Sequence, residues 1–310
     1  MNAIEIKNLS KYYGKTAAVK DLNLTIPEGA LFGLIGPNGA GKTTTMRMLA
    51  GLLDPTEGEI LIHGEPASQD WRALSRQIGY MPDFFGVYED MLVWEYLDFF
   101  GRCHELPADH RMRVVDELLE LVDLSGKRDD YVETLSRGMR QRLCLAHTLV
   151  HDPQILLLDE PASGLDPRAR LEMRELLKEL GAMGKTIILS SHILHELAEL
   201  CDSIGIIEKG ALVTSGDLGE IKQAALQQRT LKISMLSSLE DAQQFLSNYP
   251  GVGEIFKNNH SLEAPFYGTD EEKAALLAAM IAAGIQVTTF SETTSDLEQI
   301  FMRLTKGEVA

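Results

Sequence analysis

At 310 residues the chain exceeds the usual single-domain size, so one large domain with a smaller companion is expected. Its 45% hydrophobic, 24% charged and 6% aromatic residues suit an ordinary globular protein. A net charge of −17 argues against general attraction to nucleic acid, whose phosphates call for a basic surface.

The N-terminal residues MNAIEIKNLS lack the apolar core of a signal peptide. No apolar run approaches the ~20 residues of a membrane-crossing helix, so membrane spans, if needed, come from another chain. Ile4 and Ile6, then Leu22, Leu24 and Ile26, alternate as strand positions sharing one face. The turn Pro27-Glu28-Gly29 leads into Ala30–Ile35, an apolar run suited to a strand buried on both sides. A glycine-rich loop follows, then helical character from Lys42 to Leu49. Residues 80–100 hold eight of the chain's twenty aromatics: Tyr80, Phe84, Phe85, Tyr88, Trp94, Tyr96, Phe99 and Phe100. That density fits the core of a small helical subdomain and equally a surface for a partner. Trp94, Phe99 and Phe100 are expected to face inward, with Phe84, Phe85 and Tyr88 on a loop. Cys103, Cys144 and Cys201 have neither a C-x-x-C pair nor metal-ligand spacing and read as reduced thiols. Helical patterns at Arg111–Val122 and Arg168–Leu180 accompany further buried strands at Ile155–Leu158 and Thr186–Leu189. The alternation predicts an α/β layer fold with a largely parallel central sheet and an antiparallel N-terminal portion.

After about residue 225 the pattern changes. Strands are expected at Thr230–Met235, Val252–Lys257, Leu262–Tyr267 and Gln286–Phe290. Helices are expected at Ser238–Asn248 and Asp270–Ala283, with a closing helix near Asp296–Leu304. That βαββαβ order is the ferredoxin-like arrangement, here a small α+β accessory domain.

Gly36-Pro37-Asn38-Gly39-Ala40-Gly41-Lys42-Thr43-Thr44 fits G-x-x-x-x-G-K-[ST] between a strand and a helix. Glycines let backbone N–H groups wrap phosphates, and the next helix turns its positive end to the same anion. Lys42 is placed to reach the β- and γ-phosphates of ATP, and the Thr43 hydroxyl to ligate Mg²⁺. Strand Ile155–Leu158 ends in Asp159-Glu160, at the ligand side of an open α/β sheet. Asp159 is expected to hold the Mg²⁺ shell and Glu160 to deprotonate the attacking water.

Three further segments resemble the ATP-binding cassette (ABC) ATPases, and the resemblance spans residues 1 to about 220. Leu135-Ser136-Arg137-Gly138-Met139-Arg140-Gln141-Arg142 looks like the signature motif, opening a helix predicted at Met139–Val150. Ser163-Gly164-Leu165-Asp166 is similar to the D-loop, Ser190-Ser191-His192 matches the switch histidine, and Tyr13 stands where the family stacks an aromatic on adenine. The resemblance implies a phosphate-loop cassette over residues 1–222, with a helical subdomain at about 84–150, while the change of pattern marks the accessory domain over 226–310. It further implies two ATP molecules sandwiched in a head-to-tail cassette dimer. Each would lie between one phosphate loop and the Ser136, Gly138 and Asp166 of the other copy, with His192 at the γ-phosphate. The family's glutamine before the helical subdomain is replaced by Asp83, which only accepts hydrogen bonds when ionised and would meet the metal shell from closer in. Arg137 and Met139 replace the usual glycine and glutamine of the signature. The tail Ser295–Phe301 resembles that of bacterial exporter ATPases serving a separate multi-span permease at the cytoplasmic face of the membrane. The alternative is a soluble ABC ATPase of translation or DNA repair. Such relatives carry long coiled coils or two cassettes, neither of which this sequence shows.

Overall fold

A computed structural model describes residues 1–67, 71–84, 86–220, 229–236, 238–258 and 261–294. Two compact units divide the chain, Met1–Leu218 and Gly219–Leu304. The expected boundary at 222–226, Phe85, and the tail and closing helix beyond Thr294 lie outside the described residues.

The first unit opens with β1 (Asn2–Tyr13) and β2 (Thr16–Pro27), an antiparallel pair with Ile4 opposite Ile26 and Ile6 opposite Leu24. Those four side chains are buried, as their alternation demands. After β3 (Leu31–Ile35) and helix α1 (Lys42–Leu49), β4 (Glu57–Ile62) and β5 (Glu65–Pro66) complete this antiparallel sheet in the order β2-β1-β4-β5. Helix α2 (Trp71–Gln77) feeds β6 (Ile78–Met81). The helical region follows as α3 (Val93–Cys103), α4 (Ala108–Leu121) and α5 (Arg137–Leu149). The chain then runs through β7 (Ile155–Asp159), α6 (Pro167–Ala182), β8 (Thr186–Ser191), α7 (Leu194–Ala198), β9 (Ser203–Glu208) and β10 (Ala211–Asp217). The second sheet runs β10-β9-β3-β8-β7-β6, parallel except for the antiparallel β9–β10 edge. Every residue of β3, β7 and β8 is buried, which explains why these strands read as unbroken apolar runs. Met46 and Leu49 of α1 join Ile4, Ile26, Leu34 and Leu157 in one core, so both sheets clamp the helix that follows the glycine-rich loop. No helix among the described residues is long and apolar enough to cross a membrane.

In α3 the buried stripe is Val93, Tyr96 and Leu97. Phe99, expected inside, points outward at 36% exposure, because helical spacing aligns Tyr96 rather than Phe99 with the core. Trp94 is half-buried beneath the Arg128 guanidinium, 5.4 Å from its ring. Phe84 and Tyr88 are exposed as expected, and the Tyr88 ring meets Phe99 edge-on at 5.4 Å.

Where α3 and α5 meet, His147 stacks on Phe100 at 4.1 Å and His104 lies parallel to His151 at 3.9 Å. Desolvation, then the neighbouring His104 and His151, hold His147 down to about 4. Desolvation and His104 do the same for His151, whose Nε2 lies 3.1 Å from the Ile78 carbonyl. An unfolded chain binds these protons near pH 6.5, so the neutral imidazoles stabilise the fold above that value and the contribution is lost as pH falls toward 4. For His147 it amounts to at most about 3 kcal/mol. The melting temperature of His147→Phe should therefore fall less than that of the parent between pH 6.5 and 4.5. Parallel curves from a thermal scan across that range would contradict the burial argument.

The second unit contains β11 (Arg229–Met235), α8 (Leu239–Ser247), β12 (Phe256–Asn258), β13 (Ser261–Phe266), α9 (Asp270–Ala282) and β14 (Val287–Thr294). All neighbours in its sheet, β12-β13-β11-β14, are antiparallel, which is the ferredoxin-like order. The strand expected from Val252 starts only at Phe256. Val252 makes one isolated bridge to Phe266 and the Gly253 N–H donates to the Pro265 carbonyl, but continuous pairing with β13 begins only at Phe256 opposite Glu263. Leu231, Ile233, Leu246, Leu262, Leu276 and Met280 form this unit's own core.

Candidate functional site

The loop Gly36–Gly41 joins β3 to α1 through positions with no room for a side chain. A Cβ on Gly36 would stand 2.3 Å from the Ile207 carbonyl oxygen, and one on Gly41, at φ +106°, 2.5 Å from that of Ala18. Ala40 donates to Pro37, which closes the turn and leaves Asn38 and Gly39 exposed at its tip. The first turn of α1, with Thr43 and Thr44 half-buried, directs N–H groups without intrahelical partners toward the loop. Lys42 is only 6% exposed, and its Nζ donates to the Gly36 carbonyl at 2.7 Å and to that of Pro37 at 3.3 Å.

The same Nζ lies 3.5 Å from Oε1 of Glu160, whose Oε2 is 2.9 Å from Nδ1 of His192. A buried cation, a carboxylate and an imidazole therefore converge at the loop. Parallel register sets Asp159 of β7 opposite Ser190 of β8. The Ser190 hydroxyl donates to Asp159 Oδ1 at 2.6 Å and accepts from the Glu160 N–H at 3.0 Å. Glu160 is held in the left-handed region, φ +51°, a strain on the order of 1 kcal/mol for a non-glycine residue. Asp159 Oδ2 is buried with no hydrogen-bond partner among the described residues. Such an oxygen carries a desolvation cost unless something electropositive meets it.

Asp83 follows β6, whose Met81 pairs with Leu158, so it stands beyond the strand end next to Asp159. Partial desolvation, then the charges of Asp159 and Glu160, raise its carboxyl above the usual range, while Arg137 and His192 oppose the rise. Tyr13 ends β1, 54% exposed, with Lys11 Nζ 5.7 Å from its ring centroid. The hairpin it closes runs back through Ala18 to the glycine-rich loop.

The remaining expected residues gather elsewhere. Ser136 caps α5 by accepting from the Met139 N–H at 3.3 Å, and Asp166 caps α6 by accepting from Arg168 and Ala169 at 3.0 Å each. With Gly138 they line a separate surface cavity of about 400 Å³ that no residue of the phosphate loop reaches. Two supporting residues escaped sequence reasoning. In the sequence Ser190 stands out only as part of the Ser190-Ser191-His192 motif, although it fixes both acids. Gln141, 2% exposed, donates its amide to the Pro161 carbonyl at 2.5 Å. Only the strand register would have revealed the first, and only the packing of α5 on the loop after Glu160 the second.

Residues 19–163 match the ABC transporter family, and 216–305 match the C-terminal domain of DrrA1-3-like ATP-binding proteins. The ABC transporter ATP-binding protein YxlF of Bacillus subtilis (strain 168) is 37% identical over 97% of this chain and 99% of its own length. The chain belongs to the ABC transporter ATP-binding protein family. The Nod factor export ATP-binding protein I of Cupriavidus metallidurans is 35% identical over 99% of this chain and 98% of its own. Among solved structures, an ATP-binding cassette in a dimeric post-hydrolysis state with ADP and Pi is similar at TM-score 0.63 and 26% identity, covering 69% of this chain and 98% of that one. As an ABC protein the chain is an ATPase subunit of a transporter, and these relatives lend nothing to the alternative in translation or DNA repair.

Proposed function

We propose that two copies of this cassette, or one copy and a homologous chain, close head to tail around MgATP and drive export through a separate multi-span permease at the cytoplasmic face of the membrane. The observation that carries the reading is the division of anion-binding features between two separate places on the chain. Lys42, Glu160 and His192 converge at the phosphate loop, whereas Ser136, Gly138 and Asp166 line a cavity away from it. Two such chains, each offering one set to the other, complete the site.

In that site the loop amides and Lys42 hold the β- and γ-phosphates, and Tyr13 offers an exposed ring face to adenine. Phosphate competes with Glu160 for Lys42, freeing the carboxylate to take the proton of an attacking water while His192 keeps its other oxygen oriented. Magnesium suits the donor set: Asp159 offers a buried unpartnered oxygen, Thr43 a hydroxyl at the helix start, and Asp83 a carboxyl able to reach the shell through water. When bound, the ion neutralises charge on the phosphates. Residues 1–222 act as the nucleotide-binding domain and 226–310 as the accessory one.

Phe84, Tyr88 and Phe99 present exposed aromatic surface, beside a cavity of about 650 Å³ lined by Asp83, Phe84, Glu89 and Arg140. That surface supports docking of a permease segment. Relatives that cover nearly the whole chain include proteins named for Nod factor export and linearmycin resistance, in keeping with export. The test is affinity purification of the tagged chain from detergent-solubilised membranes of its own cell. A multi-span protein should co-elute and raise ATP turnover at least several-fold. Recovery of the chain without such a partner would overturn the transport assignment.

A further inference from the structure

The segment from Glu160 to Asp166 is anchored at both ends, and near its close the Arg170 guanidinium donates to the Leu165 carbonyl at 3.4 Å. Ser190 accepts from the Glu160 N–H at its start, Gln141 donates to the Pro161 carbonyl, and Asp166 caps α6 at its end. Between them, Ala162–Leu165 is met by one long side chain of the signature helix, Arg137. Its Nη2 donates to the Ser163 carbonyl at 3.0 Å. Its guanidinium lies across Gly164 so closely that a Cβ there would stand 2.3 Å from Arg137 Cζ. At the next residue of the helix, Gly138 approaches Ala169 of α6 so closely that a Cβ there would stand 3.1 Å from the Ala169 methyl. Arg137 also lines the cavity that holds Asp83, so this one side chain borders both loops that flank the two acids. No carboxylate among the described residues lies within ion-pair distance of it; its guanidinium is spent on a backbone carbonyl and a glycine face.

We propose that Arg137 is a positioning residue: laid over Gly164 and bonded to Ser163, it ties the signature helix to the loop after Glu160 within one chain. The proposal rests on the assignment of Glu160 as the base. A glycine at position 137 could make neither contact. Gln141 of the same helix already holds Pro161, and Arg137 adds a second tie further along the loop at Ser163 and Gly164, so that a movement of the signature helix is felt along the whole segment that follows the base. Lys42 and the loop amides, which hold the β- and γ-phosphates, make no contact with Arg137, and the signature contacts offered to the other copy come from Ser136 and Gly138, so Arg137 bears on turnover more than on nucleotide affinity.

Steady-state ATP hydrolysis by the full chain tests this with four variants. Arg137→Gly should lower kcat about five- to tenfold while KM for ATP stays within twofold and the melting temperature within about 2 °C. Arg137→Lys, which keeps a donor long enough for the Ser163 carbonyl, should recover at least half of the loss. Gly164→Ala displaces the guanidinium from its seat and should reproduce the kcat defect. The double variant Arg137→Gly/Gly164→Ala should then be no more than about twofold worse than the Gly164→Ala single, because both changes break the same contact. Multiplicative losses, an unchanged kcat in Arg137→Gly, or a defect confined to KM would each overturn the proposal. Absence of ATP hydrolysis by the parent chain, alone and with its permease, would instead indict the assignment of the site.

Discussion

Glutamine in place of Glu160 is expected to slow ATP turnover by ~10²–10⁴-fold, the range that a positioned general base supplies. The amide is isosteric, so it can still meet His192 Nδ1 and stand near Lys42, at the present 2.9 and 3.5 Å. The groups proposed to seat the phosphates, Lys42 and the loop amides, are left unaltered by the change. What the amide lacks is a lone pair basic enough to take a proton from water. Binding should therefore persist with an affinity for ATP within a few-fold of the parent, and the closed form should outlive its usual turnover. Size-exclusion chromatography in MgATP should show Glu160→Gln accumulating as a dimer, while ADP leaves it monomeric. A variant that stays monomeric in ATP and retains its rate would remove Glu160 from the role of base. The backbone strain at Glu160 makes the site specific to this position, since Ser190 holds the N–H and the sharp turn aims the side chain back at Lys42.

Much of this arrangement was legible in the sequence because its local physics is strong. Lys42–Leu49 is helical to the residue, and the buried strands at 155 and 186 were recognisable from apolar runs too short for buried helices. The ferredoxin-like order was readable because each of its elements carries its own period. Other features depend on packing that no local pattern encodes. The outward turn of Phe99 follows from which stripe of α3 meets α5, and a stretch of eight aromatics gave no means to choose. The late start of β12, at Phe256 and not Val252, is decided by pairing with β13, a strand further along the chain. At the site, the motif residues were visible one by one, but not that Lys42, Glu160 and His192 touch while Ser136, Gly138 and Asp166 line another cavity. Ser190 acts through strand register and Gln141 through the packing of α5 on the loop after Glu160, and both look ordinary in sequence.

Removal of the Lys42 side chain should have a different signature from the loss of Glu160, and the contrast separates binding from chemistry. Lys42 is the cation buried against the loop, 2.7 Å from the Gly36 carbonyl and 3.5 Å from Glu160. Lys42→Ala deletes a charge-assisted contact to the phosphates in a partly desolvated setting. Truncating one partner of such a pair costs about 2–5 kcal/mol, roughly 30- to 5,000-fold in affinity. Phosphate release should fall to background at millimolar ATP, and titration with a fluorescent ATP analogue should show the affinity loss directly. Arginine should not substitute, because a planar five-donor fork does not fit where a compact ammonium is enclosed by two loop carbonyls. Unlike Glu160→Gln, Lys42→Ala should show no dimer in MgATP, since nucleotide is the material that joins the two surfaces. Near-normal turnover in the purified variant would refute the phosphate-loop assignment. A dimer that forms with ATP despite the missing lysine would show instead that closure draws on protein contacts, with Lys42 serving the reaction alone.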